Sequence, residues 1–571
     1  MIKMKHLLLL AILFSQLSLI HSKVIKKNDV IVDTDLGGGS DNLQSLFKLL
    51  CYSDFFNIDG YQQQPEAFNF KKSEFYLITD KDKSITPYEL FNVPGYKSLP
   101  VAYARLCGKE ERVITIMCKD KIKSFSISPK RLNIKVTKKG NLIRFVLPAD
   151  SKIALTINDY PTLFLFPENT ITNAKETTMT CYNVSDYGIV SGSLAIQTKN
   201  IQRLIDSIAQ KGGGELFFPQ GTYFTGTIYM RDGVYINLHP EAIISGSMNI
   251  EDYPLETLDM EPGWPKGVSP DTDGALFIFK DVKNCGIYGG GVINANGAVF
   301  RRANLPNYRW LNIIRTINSK NISFDDIYLI DAIGWNTHLI RSDSIFFNNV
   351  KVINEIPPIG WNPQVPDGFW NNTDGINPDA SSNVFINNCF AHCGDDCITI
   401  KITNSQKGEQ KDVRNIRVTN SMFISSTGAL KAGSESLGAT ISGVYFKNID
   451  ILNMRSGYPL KITPRDKSYL SDIVFENVWC EQEKGLFLEC RIMEPRSKEQ
   501  TWHPLIENIY LKDIHLLNDK VNVLIKGYDD NHIVKNIHFD KIFINNRQIK
   551  SFPKGWITKN DFVRNITLNK N

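Results

Sequence analysis

The chain has 571 residues, too many for one ordinary globular core, so it calls for several domains or a repeat architecture in which each unit packs only on its neighbours. Its formal net charge is only +5 and no long basic run occurs, which argues against nucleic acid as a partner. Mild basicity is compatible with an acidic polysaccharide without pointing to one.

Lys3 and Lys5 precede an apolar run from Leu7 to Ile20, followed by Ser22 and then Lys23, Lys26 and Lys27. This pattern predicts a secretory signal peptide over residues 1–22, and hence a secreted, periplasmic or cell-surface protein. The run is short for a membrane anchor, and no later segment is apolar enough to cross a bilayer. Residues 23–97 have no clear assignment. Within them Asp29-Val-Ile-Val-Asp-Thr-Asp-Leu-Gly-Gly-Gly reads as a strand and a glycine-rich turn. It resembles the opening of nucleoside-hydrolase-like proteins, in which aspartates such as Asp33, Asp35 and Asp41 would hold calcium. Too little chain follows for that fold, and no metal or other cofactor is expected.

Residues 98–178 alternate apolar and polar side chains in Arg112-Val-Ile-Thr-Ile-Met-Cys, Leu132-Asn-Ile-Lys-Val and Leu142-Ile-Arg-Phe-Val-Leu. They predict a small accessory β-sandwich. Further on, Ile196, Ile201, Leu204, Ile205 and Ile208 share one helical face, and Gly212-Gly-Gly214 ends it. A short amphipathic helix here would cap the open end of a solenoid.

From about Ile287 a short motif recurs: Asn321-Ile-Ser-Phe-Asp-Asp, Ser344-Ile-Phe-Phe-Asn-Asn, Asn383-Val-Phe-Ile-Asn-Asn, Asn415-Ile-Arg-Val-Thr-Asn, Gly443-Val-Tyr-Phe-Lys-Asn, Asp472-Ile-Val-Phe-Glu-Asn, Asn508-Ile-Tyr-Leu-Lys-Asp and Asn536-Ile-His-Phe-Asp-Lys, with starts roughly 23 to 39 residues apart. Period-two alternation without intervening helices predicts stacked β-coils over residues 179–571. Asn388, Asn420, Asn448 and Asn477 are expected at one turn of each coil, where an amide can bond to the next.

Asn372-Thr-Asp-Gly375 and Gly394-Asp-Asp396 then set Asp374, Asp395 and Asp396 about one coil apart. Crowded carboxylates repel, so one holds its proton to higher pH, and an acid and a base can share a cleft. That pairing suits glycosidic bond cleavage. Strands about 4.8 Å apart bring such groups toward the roughly 6.5–9.5 Å that inversion requires. Asp395 and Asp396 are neighbours, so serving one cleft needs a bend, which Gly394 can supply. Cys389, Cys393 and Cys397 lack partner ligands for a metal site and read as buried thiols or a local disulfide.

These motifs, with Tyr182-Asn-Val-Ser-Asp-Tyr-Gly188, Phe218-Pro-Gln-Gly-Thr-Tyr223, Ile287-Tyr-Gly-Gly-Gly291, Trp335 and His338, resemble glycoside hydrolase family 28, the polygalacturonase and rhamnogalacturonase family. The resemblance implies an all-β fold, a right-handed parallel β-helix, acting on a pectic or related polysaccharide with inversion. A monomer is expected. It implies Asp395 as general acid, Asp374 and Asp396 activating water, and Lys461 on the substrate. Trp335, His338, Lys431 and Tyr458 are further substrate-binding candidates, with Glu435 and Arg465 beside them. Two positions depart from the family. Gly428 stands where a histidine is expected, which His392 could replace, and Pro459-Leu-Lys461 lacks the family's arginine. A lysine offers only a point charge to a carboxylate, so plain polygalacturonate is not assured as substrate. A dextranase-like hydrolase and a non-catalytic carbohydrate-binding protein are the alternatives.

Overall fold

The computed structural model describes residues 71–91, 99–168, 179–254, 274–303, 311–356, 372–403, 411–452, 454, 457–481, 485–494 and 503–569. The signal-peptide region and the aspartates at 33, 35 and 41 lie outside them.

Two sheets of the accessory sandwich face each other, one of six strands and one of five. Tyr76, Ile78, Ile114, Ile116, Ile143, Phe145, Leu155 and Leu165 fill the space between them. The sandwich begins at Lys71–Lys72 and Tyr76–Asp80, ahead of the alternation at residue 98 that marks it in sequence. These first strands are short and pair with later ones, Tyr76–Asp80 lying antiparallel to Arg112–Cys118.

The remainder is a right-handed parallel β-helix. A 20-stranded sheet forms two of its walls and an 11-stranded sheet the third. Inward side chains stack in a continuous core, for example Ile322, Ile345, Val384, Ile416, Val444, Ile473, Ile509 and Ile537, each opposite the next across a parallel ladder. β-Branched residues suit such doubly covered strands because their stiff side chains pack on a pleated surface. The predicted cap is the helix Thr198–Gln210, which buries Ile201, Leu204, Ile205 and Ile208 over the first coils.

Each coil turns at a residue with positive φ, and that residue is usually asparagine. Asn383, Asn415, Asn420, Asn448, Asn477, Asn508 and Asn536 all have φ between 50° and 59°. Asparagine tolerates this left-handed conformation, and its amide then joins coil to coil. Asn448 donates to Asn420 (2.8 Å) and Asn477 to Asn448 (2.9 Å). Asn388 also turns at positive φ, but its oxygen receives Lys152 from the sandwich instead of the amide of the next coil.

The sandwich docks on one wall through a second apolar cluster. Tyr103, Phe164 and Phe166 meet Tyr328, Ile353, Phe390 and Met422, with Phe164 and Phe166 rings 4.8 and 5.0 Å from Phe390. Buried Glu168 accepts from Arg105 (2.6 Å), from Lys351 (3.1 Å) and from the Tyr328 hydroxyl, so its charge is fully compensated. At the far end Arg131 holds Asp450 with a two-pronged pair at 2.5 and 2.7 Å.

Candidate active site

The 11-stranded wall carries the site at its entry turns. Asp374 precedes the strand Ile376–Asp379, Asp395 and Asp396 precede Ile398–Ile402, Thr427 and Gly428 precede Leu430–Ser436, and Tyr458 precedes Leu460–Pro464. Backbone bonds stack these turns: Gly375 N–H donates to Asp396 O (2.9 Å), Cys397 N–H to Gly428 O (3.0 Å), and Ala429 N–H to Pro459 O (3.1 Å). Asp395 and Asp396 sit in the bend that follows Phe390–Cys393, so strand alternation does not force them apart. The approach is close. A Cβ on Gly375 would lie 2.3 Å from Cys397 O, and only glycine fits.

All three carboxylates converge. Asn372, its amide nitrogen turned toward them, donates to Asp374 Oδ1 (3.0 Å) and Asp395 Oδ2 (2.7 Å). Thr427 Oγ1 lies 2.6 Å from Asp395 Oδ1 and 2.7 Å from Asp396 Oδ1. Asp395 is thus within two hydrogen bonds of each partner, closer than the roughly 6.5–9.5 Å expected for inversion. Asp374 and Asp396 are both 2 % exposed, whereas Asp395 is half-buried, the one member open to the cleft.

Three lysines flank the trio. Lys401 Nζ is 3.1 Å from Asp374 Oδ2, 3.7 Å from Glu435 Oε2, and 3.5 Å from the centre of the Trp335 ring. Lys431 Nζ is 2.6 Å from Asp396 Oδ2, and Lys461 Nζ is 3.9 Å from Asp396 Oδ1. Asn377 completes the shell, donating to Asp374 Oδ2 (3.0 Å).

Protonation divides accordingly. Burial pushes Asp374 up to about 7 against the pull of Lys401, and the charges of Asp395 and Asp396 add to the rise. Burial and then the Asp396 charge raise Asp395 as well. Burial opposes ionisation of Asp396 too, but Lys431 and Lys461, with the bonds from Lys431 and Thr427, outweigh it and hold Asp396 below the ordinary aspartate value.

Other candidates fall elsewhere. His338 is wholly buried, bonded through Nε2 to Asp379 (2.7 Å) and packed edge-on to Trp335, and burial lowers it to about 4. It supports the Trp335 ring and does not reach the cleft. His392 turns away from the acids to bond Asn354 O (2.8 Å) beside Phe164, so it does not replace the histidine missing at 428. Half-buried Tyr458 donates to Asn522 (3.2 Å), two coils beyond. Arg465 Nη2 lies against Met493 Sδ at 3.7 Å. Cys389, Cys393 and Cys397 are free buried thiols, so the local disulfide is absent. Among the described residues no cluster of His, Cys, Asp or Glu could hold a metal ion. Lys401, Asn372, Asn377 and Thr427 escaped sequence reasoning. Lys401 and Thr427 lie a full coil from the acid they contact, and only the stacking register brings them near.

Residues 266–545 match the model of glycosyl hydrolases family 28, and the chain belongs to that family. It is 23% identical over 312 residues to a probable polygalacturonase of Vitis vinifera, covering 53% of this chain and 61% of the relative. It is 26% identical over 274 residues to plasmin and fibronectin-binding protein A of Streptococcus pneumoniae, covering 44% and 37%. The matches thus span less than two thirds of these relatives' own length. Among solved structures, an exopolygalacturonase from Thermotoga maritima shares the fold at a TM-score of 0.54 and 18% identity, over 69% of this chain and 92% of that one. Among the described residues no helix is long and apolar enough to cross a membrane.

Proposed function

We propose that this protein is an exported hydrolase that cleaves α-glycosidic bonds in a pectic or related polysaccharide. The observation that carries the reading is the convergence of Asp374, Asp395 and Asp396 with opposed protonation tendencies. Asp395, open to the cleft and protonated, gives its proton to the leaving glycosidic oxygen. Asp396, ionised against Lys431, takes a proton from the attacking water while Asp374 holds that water in line. Lys461 and the Trp335 face contact the sugar chain, and the polysaccharide is the partner. Family membership supports inversion, whereas the closeness of the carboxyls is nearer the retaining arrangement, so the anomer of the first product decides between them.

Release of reducing ends from polygalacturonate, rhamnogalacturonan and dextran, compared with Asp395→Asn, tests the assignment. Product from a pectic substrate that vanishes in the variant supports it. Equal release by both proteins rejects catalysis at this site, and release from dextran alone moves the substrate class. Saturable polysaccharide binding without any product would make the chain a binding protein.

A further inference from the structure

The loop Ser425–Gly428 does more than stand in for a missing histidine. Ser425 Oγ donates to Asp395 O (2.6 Å) and accepts from the N–H groups of Thr427 and Gly428 (2.9 Å each), so the loop is tied to the acid it serves. A Cβ at Gly428 would lie 2.6 Å from Asp396 Oδ1 and 3.0 Å from Lys461 Cδ. No side chain fits there. The space a histidine would need is filled by Asp396 and Lys461, and the group that touches both acids is Thr427.

A count of hydrogens fixes what Thr427 does. Its hydroxyl has one hydrogen, yet its oxygen sits 2.6 Å from one carboxyl oxygen and 2.7 Å from another. Two contacts of that length need two protons, so one of the acids supplies the second. Asp396 already receives Lys431 at Oδ2, and Lys461 stands 3.9 Å from its Oδ1, so it is the ionised member. Asp395 Oδ2 receives the Asn372 amide, which leaves Oδ1 as the oxygen that bears hydrogen. Thr427 therefore accepts from Asp395 and donates to Asp396.

The geometry points to Thr427 as a positioning residue that stores the acid proton on Asp395 Oδ1 and, after each turnover, returns a proton from Asp396 to Asp395 through its hydroxyl. This rests on the proposed hydrolase reading. In the chemical step Asp395 loses its proton to the leaving oxygen, the glycosidic bond breaks, and water bonds to the sugar carbon as its proton passes to Asp396. The relay then runs backward: the Asp396 proton moves to Thr427 Oγ1 and the Thr427 hydrogen moves to Asp395. One proton enters and one leaves the hydroxyl, no outside proton is consumed, and the acid and base are restored together. Besides these partners, the charged groups facing the pair are Asp374 with Lys401, Lys431 with Lys461, and Glu435 against Lys401.

Thr427→Val keeps the shape and removes the hydroxyl, while Thr427→Ser keeps the hydroxyl. The test is the pH profile of kcat and kcat/KM on whichever pectic substrate the wild-type protein cleaves. Loss of the bridge leaves Asp396 Oδ1 without its hydroxyl donor and Asp395 Oδ1 without its acceptor. In the valine variant the acid limb therefore moves up and the alkaline limb moves down, each by on the order of one pH unit. kcat falls at least about tenfold, and the serine variant restores both width and height. A valine profile lowered in height but unchanged in width, or a serine variant as impaired as valine, overturns the relay. The hydrolase reading would survive that outcome, since it is tested separately by product release in the wild type and its loss in Asp395→Asn.

Discussion

Replacing Lys431 with methionine removes the cation held 2.6 Å from Asp396 Oδ2, in a pair whose side chains are 16 % and 3 % exposed. Breaking a buried pair by deleting one partner costs about 3–5 kcal/mol when the remaining charge is left alone. Lys461 at 3.9 Å and the Thr427 hydroxyl remain, so we take the lower end. About 3 kcal/mol corresponds to roughly a hundredfold in proton affinity, so Asp396 rises from its depressed value. Lys431 also pulls on Asp395 and Asp374, so both rise when it is lost. The whole bell moves alkaline instead of shrinking. Reducing-end release measured from pH 3.5 to 9 should show roughly a hundredfold loss of kcat/KM near pH 4 and little loss near pH 7. Equal loss at every pH would refute the electrostatic role and leave Lys431 with packing alone.

Asp395→Asn tests the same electrostatics through stability. The folded state raises Asp395 above its unfolded value, so its contribution is present below about pH 4 and is lost as pH rises toward the raised value. The variant should match the wild type in Tm at pH 3.5 and exceed it at pH 7, and an equal Tm at both would count against the shift. Gly428→His should not restore the family pattern. With 2.6 Å from its Cβ to Asp396 Oδ1, it should cost about 1–3 kcal/mol in urea unfolding and lower kcat/KM, whereas a gain in activity would contradict the crowding described. Phe390→Ala empties the centre of the sandwich contact and should cost about 3–5 kcal/mol by the same measurement. A loss under 1 kcal/mol would mean the two parts are not energetically joined there.

The solenoid was readable because each coil repeats one local problem. A left-handed turn favours asparagine, and an inward strand position favours isoleucine or valine, so Asn415-Ile-Arg-Val and Asn508-Ile-Tyr-Leu announce themselves. The helix Thr198–Gln210 was legible from its apolar spacing for the same reason. The carboxylate turns were legible as paired motifs, and the glycine beside Asp374 answers a need for close backbone approach. Partners across coils were not. Lys401 meets Asp374 and Thr427 meets both later acids through stacking register, which local patterns do not encode. His392 was misjudged because its wall is covered by the sandwich, and the sequence says nothing of which wall that is. The sandwich's first strands are too short, two to five residues, for alternation to reveal them.

The allocation of protons within the trio is open to direct observation by carbon-13 NMR of aspartate carboxyl carbons, titrated from pH 3 to 9 in the wild type and in Asp395→Asn. The signal that disappears in the variant should titrate above the ordinary aspartate value of about 3.9. If that signal titrates at or below it, Asp395 is no acid reservoir and the chemistry assigned to this groove is wrong.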